Sequence, residues 1–140
     1  GRDTLAEFRH AFHIDTHEQA LDFTDRLLKK GNFLRRPLAW GIRQKFSNPA
    51  MVALISALQV SDLFSPEQLA TLTVPTRMIW GQRDLILPFE QREYFRQYLP
   101  KQVEWSEPVD YSHSPYLEHL QEVADEILDF LRRLPPPKAP

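Results

Sequence analysis

Two loops of this 140-residue chain carry groups able to move a proton. The stretch Gly81-Gln82-Arg83-Asp84-Leu85-Ile86-Leu87-Pro88 offers the carboxylate of Asp84, and Asp110-Tyr111-Ser112-His113-Ser114-Pro115-Tyr116 offers the imidazole of His113. A histidine titrates near neutrality. A carboxylate that accepts its Nδ1–H fixes the tautomer, turns Nε2 outward as a base and stabilises the imidazolium formed in turnover. Glu107 and Asp110 are also candidates to partner His113, and an acid just after Gly81 is equally an ordinary turn residue. Ser112 and Ser114 flank the histidine, but a side chain adjacent in sequence is poorly placed to be activated by it.

The elements around these loops say whether they can meet. Residues 74–81 form a short apolar run between a proline and a glycine, as in a buried strand. Residues 88–99 read as a helix ended by Pro100, with Phe95, Tyr98 and Leu99 inward. Residues 103–106 give a second strand, running on toward Val109. Leu117, Leu120, Val123, Ala124, Ile127, Leu128 and Leu131 then mark the cleanest helical stripe in the chain. Strands separated by a helix pair in parallel, with their functional loops at the carboxyl ends, so the two loops are expected side by side. Two strands alone do not make a covered parallel sheet.

The first half reads as helices. Asp15-Thr16-His17-Glu18-Gln19 holds two overlapping capping boxes, Asp15 with Glu18 and Thr16 with Gln19. Ala20, Leu21, Thr24, Leu27 and Leu28 follow, with Lys29 and Lys30 at the negative helix end and Gly31 as the expected C′ residue. Leu38, Ile42 and Phe46 mark a second helix. Asn48-Pro49 opens a third with Met51, Leu54, Ile55 and Leu58 on its expected buried face, and Ser65-Pro66-Glu67-Gln68 opens a short fourth carrying Leu69 and Leu72. Glu118 is expected to support the first turn of the last helix through its dipole.

Composition narrows the partners. A formal charge of −2 with 26% charged residues gives no basic excess for nucleic acid or an anionic membrane. No run approaches the roughly 20 apolar residues of a spanning helix. With no cysteine, thiolate chemistry and disulfides are excluded. No cofactor or metal is expected: there is no phosphate-loop or metal-loop motif, and His10, His13 and His17 surround a capping box rather than sharing one helix face. No signal peptide is visible and the cytoplasm is the expected compartment. Gly1 in place of Met is what a processed product, a cloning remnant or a piece of something longer would show.

Residues 74–88, with Pro75-Thr76, an apolar triplet, Trp80-Gly81 and Asp84, resemble the penultimate strand and acid loop of α/β-hydrolases. Residues 112–118, followed by Glu122-Val123-Ala124 and Phe130-Leu131, resemble the histidine loop and last helix of that superfamily. The resemblance covers residues 70–133 and implies a partial α/β-hydrolase fold: a helical cap over 1–69, the last two parallel strands and their helices over 70–134, and a disordered proline-rich tail over 135–140. It implies that Asp84 is the triad acid and His113 the base, acting on a hydrophobic small-molecule substrate such as an ester. Ile86, Ser114, Phe33 and Trp40 are the expected substrate-pocket residues, although Phe33, Trp40 and Met51 also fit ordinary packing. The nucleophile elbow, usually Gly-x-Ser-x-Gly, is missing: glycines occur only at 1, 31, 41 and 81. Tyr111 and Ser112 stand where the superfamily often has a glycine before its histidine. Serine or aspartate as nucleophile stays open, as do carbon–carbon, thioester, haloalkane and epoxide chemistry. The expected partner is a nucleophile-bearing N-terminal half or another copy of the chain; the alternative is a non-catalytic interaction or swapped-oligomer module.

Overall fold

The computed structural model describes residues 4–28 and 31–135. Its helices are α1 (Thr4–Ala11), α2 (His17–Leu27), α3 (Arg35–Phe46), α4 (Pro49–Ala57) and α5 (Pro66–Ala70), followed by strand β1 (Arg77–Ile79), α6 (Phe89–Tyr98), β2 (Glu104–Ser106) and α7 (Leu120–Arg133). Single 3₁₀ turns fall at Val60–Asp62 and Pro115–Leu117. Among the described residues the structure is mostly helical, with one small parallel sheet.

Capping chemistry sets the helix starts. At α2 the Thr16 hydroxyl accepts from the Gln19 N–H at 3.1 Å, while Gln19 Oε1 accepts from the N–H groups of Thr16 and Asp15, both at 2.9 Å. The Thr16 box is the one used. Asn48 Oδ1 caps α4 at Ala50 N, and Ser65 with Gln68 boxes α5. α2 ends earlier than its expected cap: Leu28 is the C-cap, so Gly31, at φ +87°, lies beyond it rather than at C′. Lys29, Lys30 and residues 136–140 of the tail lie outside the described residues.

The core sits between α2 and α3. Ile14, Ala20, Phe23 and Ala39 are buried together, with Phe12, Leu21, Leu27, Ile42 and Phe46 packed around them. Phe12, Phe23 and Phe46 form a three-ring cluster with centroids 5.3–5.6 Å apart. Each fully buried side chain of this size contributes about 1.5–3 kcal/mol. Asp25 receives a two-nitrogen fork from Arg35, which ties α2 to the start of α3. α1, which the sequence pattern did not single out, brings Phe8 against Phe12 in a tilted ring contact with centroids 4.4 Å apart.

The two strands pair in parallel, Arg77 with Glu104, Met78 with Trp105 and Ile79 with Ser106. β2 stops at Ser106 and does not reach Val109, because Pro108 has no N–H to extend the ladder. α7 is held to the strands by charge: Arg77 Nη2 donates to Glu126 Oε2 at 2.9 Å, and Arg133 donates to both Glu104 oxygens at 2.8 Å.

The apolar stripes of α7 and α4 are left largely uncovered. Leu120, Ile127, Leu128 and Leu131 of α7 are exposed while Val123 and Ala124 are half-buried; on the face of α4 expected to be buried, Leu54 is exposed and Met51, Ile55 and Leu58 are half-buried. Leu117 belongs to the 3₁₀ turn before α7. The reason is geometric. Two strands of three residues offer too little surface to cover a fourteen-residue amphipathic helix.

Candidate functional site

The loops after β1 and β2 are zipped together beyond the strands. Trp80 N donates to Ser106 O at 2.9 Å, Gln82 N to Pro108 O at 3.1 Å and Arg83 N to Tyr111 O at 3.0 Å. Gly81 permits this approach. A Cβ at that position would lie 2.2 Å from the Tyr111 carbonyl oxygen and 2.8 Å from that of Ser112, distances no side chain tolerates against fixed backbone.

The zipper brings Asp84 and His113 together. His113 Nδ1 stands 2.9 Å from Asp84 Oδ2. With the carboxylate ionised, Nδ1 carries the proton and donates, so Nε2 is left as the exchanging nitrogen. The imidazole remains 31% exposed, whereas the Asp84 side chain is only 8% exposed. The second carboxylate oxygen, Oδ1, accepts from Ile86 N at 2.8 Å and Leu87 N at 3.0 Å. Burial works to raise the Asp84 pKa, but the hydrogen bond from His113, the two backbone N–H groups and the attraction of the imidazolium together hold it below its ordinary value.

The competing acids are engaged elsewhere. Glu107 Oε1 accepts from Trp105 Nε1 at 2.6 Å and from Arg96 Nη1 at 2.9 Å. Asp110 pairs with Arg83 at 2.9 Å. His10 belongs to α1, His17 opens α2, and His13 Nε2 lies 2.8 Å from Asp15 Oδ2.

The other expected site residues are scattered. Ile86 is buried in the apolar cluster of α2 and α3, where Leu87 also packs. Ser114 is buried in the histidine loop. Phe33 and Trp40 face outward, 86% and 65% exposed. Ser112 Oγ donates to Glu118 Oε2 at 3.1 Å.

Two residues take on roles in the site that their spacing in the sequence does not suggest. Gly81 was read as a strand terminator, and its position between strand and acid is the signal that it also sets loop spacing. Glu118 lies before α7, whose first-turn acid is Glu122, and instead binds across the loop. A serine six residues before an acid gives no pattern from which that contact could be read.

No protein-family model matches this chain, and no curated protein does. A solved structure does: the crystal structure of a mutant of the meta-cleavage product hydrolase CumD aligns with a TM-score of 0.67 at 15% identity, over 91% of this chain and 51% of that one. The chain thus spans about half the length of the structure it matches. Identity at that level speaks to fold alone. That neighbour is an α/β-hydrolase, and 91% of this chain superposes on about half of it.

Proposed function

We propose that this chain is the C-terminal part of an α/β-hydrolase, as a fragment or a subunit, with residues 1–69 as its cap and 70–134 as the end of its core. His113 is the base and then the acid; Asp84 orients it. The observation that carries this reading is the 2.9 Å contact between His113 Nδ1 and the buried Asp84 carboxylate. The nucleophile comes from outside this stretch of sequence, where no Gly-x-Ser-x-Gly turn occurs.

The dyad's part in ester hydrolysis follows from its geometry. A nucleophile hydroxyl attacks the ester carbonyl and passes its proton to His113 Nε2, and the Asp84 carboxylate stabilises the resulting imidazolium. Collapse of the tetrahedral intermediate breaks the ester bond, and Nε2–H protonates the departing alkoxide. Water then repeats the sequence on the acyl-enzyme. Ile86 and Ser114, carried by the two loops, with Phe33 and Trp40 from the cap, are the pocket residues of this reading. The exposure of Phe33 and Trp40 means that they meet substrate only once a further segment closes over them. Because the structural neighbour is named for meta-cleavage products, such compounds join activated esters as test substrates.

The test is complementation: this chain is mixed with a serine-bearing N-terminal half and assayed on activated esters and meta-cleavage products. Hydrolysis that disappears in His113→Ala supports the reading. A second reading, a non-catalytic module that self-associates, is favoured by the exposed apolar residues of α4 and α7. Concentration-dependent self-association without hydrolysis in any complementation mixture would select it.

A further inference from the structure

We infer that Glu118 is a positioning residue for His113, its carboxylate bridging the histidine loop to the cap segment so that the cap holds the base in place. This rests on the hydrolase reading above and extends it to how the dyad is held.

Each carboxylate oxygen of Glu118 takes a donor from a different side. Ser112 Oγ, buried and adjacent to His113, donates to Oε2 at 3.1 Å. Asn32 Nδ2, from the segment before α3, donates to Oε1 at 3.4 Å. Asn32 is itself fixed, because its Oδ1 accepts from Leu34 N at 2.9 Å and its carbonyl from Arg35 N at 3.1 Å. The 3₁₀ turn aims Glu118 back over residue 112: Glu118 N donates to Pro115 O at 3.0 Å and His119 N to the same oxygen at 2.7 Å. A continuous path therefore runs from α3 through Asn32, Glu118 and Ser112 to His113.

The acid loop is anchored to the same platform by a different force. Ile86, two residues after Asp84, is buried in the α2–α3 cluster, while its N–H holds Asp84 Oδ1. One loop is thus pinned by apolar insertion and the other by a bridging carboxylate. Both pins must hold for Nδ1 and Oδ2 to stay in register, since small misplacements of catalytic groups are costly.

Proton NMR of the whole protein reads the dyad without needing turnover. In the parent protein the hydrogen-bonded Nδ1–H of His113 gives a far-downfield resonance that vanishes in His113→Ala. Glu118→Ala is expected to broaden or abolish it. Glu118→Gln should restore it, because an amide can still accept from Asn32 and donate to the Ser112 hydroxyl. Asn32→Asp keeps the acceptor that caps Leu34 but opposes one carboxylate to another, and should weaken the resonance with the helices intact. In the complemented enzyme, Glu118→Ala should lower kcat about 10- to 100-fold, with KM little changed. A resonance as strong in Glu118→Ala and Asn32→Asp as in the parent overturns the inference and leaves the dyad standing. No such resonance in the parent overturns the dyad itself, and the inference with it.

Discussion

Gly81 and Tyr111 are in backbone contact so close that position 81 has no room for a methyl group: its Cβ would fall 2.2 Å from the Tyr111 carbonyl oxygen. Gly81→Ala must therefore push the acid loop off the histidine loop. Overpacking of this kind costs about 1–3 kcal/mol, and here the obstructing atoms are main chain. Urea denaturation should show that loss, together with disappearance of the His113 Nδ1–H resonance. A stable Gly81→Ala protein with an intact resonance would mean that the loops do not meet as described.

Ile86 should behave as a core residue. Ile86→Ala removes a side chain packed among Ile14, Ala20, Phe23 and Ala39 and is expected to cost about 2–5 kcal/mol, against about 0.5–1.5 for Ile86→Val. Thermal or chemical denaturation separates the two variants. Equal, negligible losses would place Ile86 outside the core.

The pH dependence follows from Asp84. Its pKa in the folded chain lies below the ordinary 3.8, so the unfolded chain binds its proton first as the solution is acidified. Its contribution to stability is complete above the unfolded value and is lost as the pH falls through the folded one. Asp84→Asn should flatten that acid limb of the stability profile. In the complemented enzyme the same change should cut kcat by about four orders of magnitude, because the amide can hold the wrong imidazole tautomer. A modest effect on both would assign the orienting role to another acid.

The exposed stripe of α7 should govern association. Leu128→Glu with Leu131→Glu places charges on residues already exposed, so stability should change little. Sedimentation velocity should show less self-association, and complementation by an N-terminal half should weaken. Unchanged behaviour in both assays would mean that this face meets nothing.

Much of the site was legible because its residues lie where strands end. Proline and glycine bracket β1, and the strand–helix–strand order puts Asp84 and His113 on adjacent loops before any contact is known. Residue types alone leave Asp84, Glu107 and Asp110 open, and only the resemblance singles out Asp84; in the structure Arg96, Trp105 and Arg83 occupy the other two. The apolar stripes of α4 and α7 are legible in the spacing, but the burial expected of the α4 face is only partial: Leu54 is exposed and Met51 and Ile55 are half-buried. Periodicity reports that a helix has an apolar face, not whether the same chain supplies its cover. Glu118 was assigned to a helix dipole because sequence shows its distance from α7 but not the return of the 3₁₀ turn over Ser112.

The central claim is that His113, oriented by Asp84, serves a nucleophile carried by other sequence. Its most direct test is the rate of activated-ester and meta-cleavage-product hydrolysis when this chain is combined with a serine-bearing N-terminal half. The account predicts turnover in the mixture, none from either half alone, and none when His113→Ala replaces the parent chain. Turnover that persists undiminished in the His113→Ala mixture would contradict it.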